Sequence, residues 1–192
     1  GRQAKAIALQ AKEQGVKGIT PDDAQRVIDA IFEMYPGLQP FFEEAKTRAV
    51  EHKWMRHCMG RYRRFPTTSD YKLEGEFERQ AMNFPIQGMV ASCVNRGLAW
   101  LRKLIYDYGL QDDVKILLQI HDAGLLEVRY DLLEYVVDEL IPYAMVDCVP
   151  IYPSKLDGTP TGAGPYRLGL DISVEKHWGE KYSPEECEKL GV

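Results

Sequence analysis

The sequence predicts an α+β chain built around an antiparallel sheet, and three observations predict it. Helix-forming segments fill the first third, and strand-forming runs come later, mixed with further helices. Two apolar runs, Lys115 to Ile120 and Leu125 to Arg129, flank the polar His121-Asp122-Ala123-Gly124 and read as a β-hairpin. After the hairpin, Asp131 to Met145 again shows the spacing of a helix.

The elements follow in order. Ala4 to Gln14 has good helix formers and stops at Gly15. Thr20-Pro21-Asp22-Asp23 is a helix start: Thr20 can cap, Pro21 suits the first turn, and the aspartates favour the positive end of the dipole. Pro36-Gly37 should end that helix near Tyr35. A second helix is expected from Pro40 to His52, then a short hairpin turning at Gly60, with Arg61-Tyr62-Arg63-Arg64-Phe65 after it. Glu74 to Tyr108 reads as one long helix kinked at Pro85, which lacks an N–H and crowds the preceding turn. Asp131 to Met145 places Leu132, Leu133, Val136, Val137, Leu140 and Ile141 on one helical face. The Pro-, Gly- and Thr-rich stretch from Pro150 to Tyr166 reads as a loop insertion, and Leu168 to Val174 as a final strand.

Composition bounds the class. The 192 residues are 45% apolar and 28% charged, the mix of an ordinary globular chain. No apolar run approaches the ~18 residues a membrane helix needs, so no membrane partner is expected. Cys58, Cys93, Cys148 and Cys187 form no C-x-x-C pair, and reduced thiols in a cytoplasm are the simplest reading. The start at Gly1, without methionine, reads as a processed chain or a fragment. Net charge is −5, yet positive residues cluster between Lys46 and Arg64 against Glu51 alone. Such a patch is either a solvated face or a track for a phosphate backbone.

Three groups of residues could carry chemistry. Asp122 at a hairpin tip fits a ligand for a hard divalent cation, and equally a turn aspartate bonded to its own backbone. His121 beside it could be a turn residue, an acid–base group or a phosphate contact. Arg79, Asn83 and Gln87, spaced by four, could donate to the minor-groove acceptors that every base pair presents, or be a polar face in water. Arg61, Arg63 and Arg64 beside Tyr62 could grip phosphates or form a solvated turn. P-loop, Rossmann, G-x-S-x-G and H-E-x-x-H patterns do not occur.

Taken together, these segments resemble the end of a family A DNA polymerase. Glu78-Arg79-Gln80-Ala81-Met82-Asn83-Phe84-Pro85-Ile86-Gln87-Gly88 resembles that family's E-R-x-A-x-N-x-P-x-Q-G segment, and Gln119-Ile120-His121-Asp122 resembles its motif C, Q-[VI]-H-D. The run from Ile19 to Pro66 is similar to the preceding helices and turn, and Leu170 to Glu180 to the family's last strand and terminal tryptophan segment. The resemblance implies a polymerase palm with an antiparallel sheet and flanking helices, residues 72–192, and the rear part of the fingers, residues 1–71. It implies that Asp122 is one of two aspartates holding a pair of Mg²⁺ ions and that His121 lies near the primer terminus. Arg79, Asn83 and Gln87 would touch the minor groove, and Arg61, Arg63 and Arg64 the duplex backbone. Gly1-Arg2 is similar to the end of motif B, which would put Arg2 near the incoming nucleotide. Primer–template DNA and a dNTP are the implied partners.

Two departures stand out. Ala123 occupies the place where the family usually has Glu. The second aspartate and most of motif B would lie upstream of Gly1, so a second polypeptide carrying motifs A and B is expected. Without it the chain is expected to be inactive, with apolar surface exposed on its first helices. The other readings are a non-catalytic duplex-DNA-binding module and a phosphodiesterase using Asp122 with Glu127 or Asp171.

Overall fold

A computed structural model describes residues 4–16, 18–177, 179–181 and 183. The described residues have mixed α and β structure, with helices dominant and three two-stranded sheets, as the α+β expectation requires. The described residues fall into two compact units, one within Gly1–Met55 and Tyr62–Pro85, the other within Arg56–Arg61 and Ile86–Val192.

In the first unit, α1 (Ala4–Glu13), α2 (Pro21–Met34) and α3 (Leu38–Thr47) lie close to their expected bounds. The start of α2 is a reciprocal cap. The Asp23 N–H donates to Thr20 Oγ1 at 3.2 Å, and the Thr20 N–H donates to Asp23 Oδ2 at 2.9 Å, so two orphan donors are satisfied. The helix expected to reach His52 does so with its last turn, Arg48–His52, wound as a π-helix, and Lys53 at φ 62° ends it. Small side chains line the contacts, with Ala8, Ala24, Ala45, Ala49 and Ala81 buried. Phe32 meets Phe42 edge-on at 6.3 Å, and Phe65 packs on Phe77 at 6.1 Å. The short hairpin is present as β1 (Trp54–Arg56) and β2 (Tyr62–Arg64).

The long helix α4 (Tyr71–Asp107) begins three residues before the expected start and stays helical through Pro85. Its later turns belong to the second unit and build that unit's core. Leu101, Leu104 and Ile105 pack with Val114 of β3 and with Val136, Leu140, Ile141 and Ala144 of the helical segment 130–147. Of these, Val136, Leu140 and Ile141 belong to the apolar face that helical spacing picks out in 131–145. Gly97 lets the two helical segments touch: a Cβ there would lie 2.7 Å from Met145 Sδ and 3.1 Å from its Cα. Segment 130–147 is not a uniform α-helix. It contains π turns at Val136–Leu140 and Tyr143–Asp147. Pro142 lies between them, and its missing N–H leaves the α ladder without a donor at that point.

The predicted hairpin is β3 (Val114–Ile120) paired antiparallel with β4 (Ala123–Val128). The insertion 150–166 is an ordered loop rather than a slack one. Ile151 and Tyr166 exchange two backbone hydrogen bonds at 2.8 Å, and Ile151 and Leu156 are buried. The expected strand from Leu168 to Val174 is not present. The segment 167–174 is irregular, and Leu168, Leu170 and Ile172 are exposed. Its alternation of apolar residues satisfies the pattern of a strand, but no described strand pairs with it, and unpaired backbone does not form a ladder. The strands that do form there are β5 (Glu175–His177) and β6 (Glu180–Lys181).

Candidate active site

The β3–β4 hairpin is anchored at its base and open at its tip. Val114 is buried in the core, whereas Leu117, Leu118, Ile120, His121 and Asp122 are exposed. Ile120 faces Ala123, so the loop consists of His121 and Asp122 alone. His121 has φ 53°, in the left-handed region where glycine is at home, and Asp122 does not. That sign pattern matches a II′ hairpin turn, which usually places Gly first. A histidine held there is locally strained, a feature that concentrates at functional sites.

Two further features set the tip. The register slips between Ile116 and Leu118, so Leu117 is an extra residue in β3. Such a bulge bends a strand and re-aims the residues beyond it, here 119–122. Gln119 then spans from hairpin to helix. Its Nε2 donates to Asn95 Oδ1 of α4 at 2.8 Å and makes a longer contact, 3.5 Å, with the His121 carbonyl. On the other strand Gly124 lies against α4, where a Cβ would be 3.1 Å from Leu98 Cδ2. Asn95 carries no signal of its own in the sequence, because its partner is 24 residues away. Gln119 was visible as part of the Q-I-H-D segment, but its bonding was not.

Asp122 presents a carboxylate that takes no hydrogen bond or ion pair from any described residue. An exposed, unpaired hard oxygen on an anchored turn fits one ligand position of a divalent cation such as Mg²⁺. The described residues hold no group of three or more His, Cys, Asp or Glu side chains able to bind a metal. Asp122 therefore suits part of a ligand set and not the whole of one. Of the carboxylates considered with it, Glu127 faces Lys115 across the hairpin at 3.6 Å, and Asp171 is exposed in the irregular segment.

On α4, Arg79, Asn83 and Gln87 are all exposed. Arg79 and Asn83 lie one turn apart in the first unit, and Gln87 follows in the second, past Pro85. The three arginines differ. Arg61 and Arg64 are exposed. Arg63 is half-buried: its guanidinium donates to Gln80 Oε1 and lies 5.7 Å from the Phe65 ring, and its Nε is buried without a partner. Arg2 lies outside the described residues.

The turn between β1 and β2 is tied to the insertion by a residue that the sequence did not single out. Arg56 receives no distinguishing mark from its neighbours, yet its N–H donates to the Leu156 carbonyl at 2.8 Å and its Nε to the Gly60 carbonyl at 3.1 Å. Gly158, at φ 89°, passes so close that a Cβ would lie 2.8 Å from Arg56 Cδ. His57 is buried beside it, with Nδ1 accepting from the Met59 N–H at 3.1 Å. Burial, then the nearby Arg61 and Arg56 charges, hold the His57 imidazole below the ordinary histidine range. Burial also raises the Cys58 and Cys93 thiols; these two and Cys148 are free. No described helix is long and apolar enough to cross a membrane.

Comparison with known proteins places these features. The profile of DNA polymerase family A matches residues 4–157. DNA polymerase I of Pseudomonas aeruginosa is 32% identical over 127 residues, 65% of this chain and 14% of that protein. DNA polymerase I of Rhizobium leguminosarum is 31% identical over 168 residues, 85% of this chain and 15% of its own length. The chain thus spans about one seventh of the curated relatives it matches. In three dimensions it is similar to the polymerase domain of Pol1 from M. smegmatis, solved in complex with DNA primer-template and dNTP. That likeness has a TM-score of 0.66 at 25% identity, over 83% of this chain and 26% of the other. With the matched region reaching from α1 to the insertion and including both the α4 segment and the hairpin, the chain belongs to DNA polymerase family A.

Proposed function

We propose that this chain is the carboxy-terminal fingers and palm portion of a template-directed DNA polymerase, with residues 1–71 in the fingers and 72–192 in the palm. The observation that carries the reading is Asp122: an aspartate in a motif-C-like segment on a two-residue turn, exposed and without a partner among the described residues, in a member of family A. Asp122 would hold one position of a two-Mg²⁺ site, with the second carboxylate coming from sequence beyond this chain, carrying motifs A and B. Such ions, when bound, favour attack by the primer 3′-hydroxyl and stabilise charge on the leaving pyrophosphate. The chain's own residues supply position. His121 lies by the primer terminus. Arg79, Asn83 and Gln87 donate to minor-groove acceptors shared by all base pairs, a test of pairing geometry rather than of sequence. Arg61 and Arg64 contact the phosphate backbone, and Arg63 contributes from a more enclosed place.

Primer extension tests this, using the chain mixed with its upstream complement. Losing one metal ligand removes several kcal/mol of transition-state stabilisation, about a thousandfold in rate. Asp122→Asn should therefore reduce incorporation by about that factor while DNA binding persists. Unchanged incorporation would mean that Asp122 has another role.

Ala123, in place of the family's usual Glu, supports a second reading in which the chain clamps duplex DNA without catalysis. That reading requires salt-sensitive duplex binding and no incorporation when the complement is supplied.

A further inference from the structure

We infer that Asn95 is a positioning residue for the Asp122 turn, acting through Gln119. The inference deepens the polymerase reading and rests on it for its catalytic consequence, though not for its structural one. The turn has only two residues, and the first of them sits in a backbone region that histidine adopts at a cost. The strand leading into it is exposed and interrupted by an extra residue at Leu117, and beyond that bulge it is held by pairing with Ala123 and Gly124 of β4. One side-chain bridge ties it to α4 as well. Gln119 Nε2 donates to Asn95 Oδ1 at 2.8 Å, and the same nitrogen lies 3.5 Å from the His121 carbonyl, a group that can only accept. Asn95 is on α4, two residues from Gly97 and three from Leu98, where the helix is pressed against Met145 and Gly124. The acceptor therefore sits on an exposed position of a helix that is closely packed at the neighbouring Gly97. The chain of contacts runs from rigid helix to Asn95, to Gln119, to the turn that carries Asp122.

Hydrogen exchange across residues 120–124, measured on this chain without metal or DNA, tests the bridge directly. Asn95→Leu removes the acceptor, and Gln119→Leu removes the donor from the other side. Each should speed exchange there about fivefold, the scale of one net hydrogen bond, with the α4 amides unaffected. Asn95→Asp keeps an acceptor oxygen and should restore slow exchange. In primer extension with the upstream complement, Asn95→Leu should lower kcat about tenfold with KM for the nucleotide within about twofold, and should raise the Mg²⁺ concentration needed, as expected when a ligand is misplaced. A purely structural role would not move the Mg²⁺ dependence. If neither leucine variant changes exchange at 120–124, the inference is overturned. Failure of the polymerase reading looks different: Asp122→Asn leaves incorporation intact while the exchange result still stands.

Discussion

His57, Arg61 and Arg63 show how neighbouring residues of similar promise are divided by burial. His57 is 2% exposed, and its imidazole titrates below the ordinary range because burial disfavours the cation. A group whose folded pKa is depressed contributes stability that is present above its unfolded pKa and lost as pH falls through the folded value. Acidifying from pH 7 should therefore destabilise the wild-type chain below the ordinary histidine range, and His57→Gln should flatten that limb of a thermal-melt series taken against pH. Arg61 and Arg64 are solvent-facing, whereas Arg63 is occupied by Gln80 and the Phe65 ring. If they touch duplex phosphates, Arg61→Ala and Arg64→Ala should each reduce the slope of log Kobs against log salt by about 0.9. Arg63→Ala should mainly lower the melting temperature. Salt titrations of the three variants on one duplex would separate these roles.

Among the elements, contacts of single residues set the geometry. Gly97 is the point where α4 meets segment 130–147. Gly97→Ala gains about 1 kcal/mol of helix propensity but forces a Cβ against Met145 Sδ and Cα, and overpacking costs about 1–3 kcal/mol. The second effect wins because one of the close atoms is backbone. Denaturant melts should show a net loss of about 1 kcal/mol, and more for Gly97→Val. The α2 cap makes a different prediction. Hydrogen bonds from Thr20, first from its side chain, and the Arg26 contact lower the Asp23 carboxyl to about 2. Its capping contribution is present above the ordinary aspartate range and lost as pH falls toward 2, and an NMR titration of Asp23 would follow it. Thr20→Ala should cost about 1 kcal/mol.

The molecule as a whole leaves apolar surface open in both units. Val27, Ile31 and Met34 are 60%, 43% and 69% exposed along one face of α2, and Leu117 and Leu118 are exposed on β3. Apolar faces of this kind mark surfaces that associate. Sedimentation of the isolated chain should show concentration-dependent association, and Val27→Lys with Ile31→Glu should reduce it. A strictly monomeric wild type at all concentrations would contradict this.

Local chemistry was legible in the sequence because it acts over a few residues: the Thr20 cap, the breaks at Gly15 and Pro36-Gly37, the helical faces that became the core, and the hairpin with Asp122 at its tip. Where local pattern and long-range pairing disagreed, pattern alone failed. Leu168, Leu170 and Ile172 alternate like a strand yet remain unpaired, because a strand is defined by a partner its own sequence does not contain. The same limit hid the Gln119–Asn95 bridge, the Arg56 tie to the insertion and the engagement of Arg63. These join residues 17 or more positions apart, and only folding brings such groups within hydrogen-bonding distance.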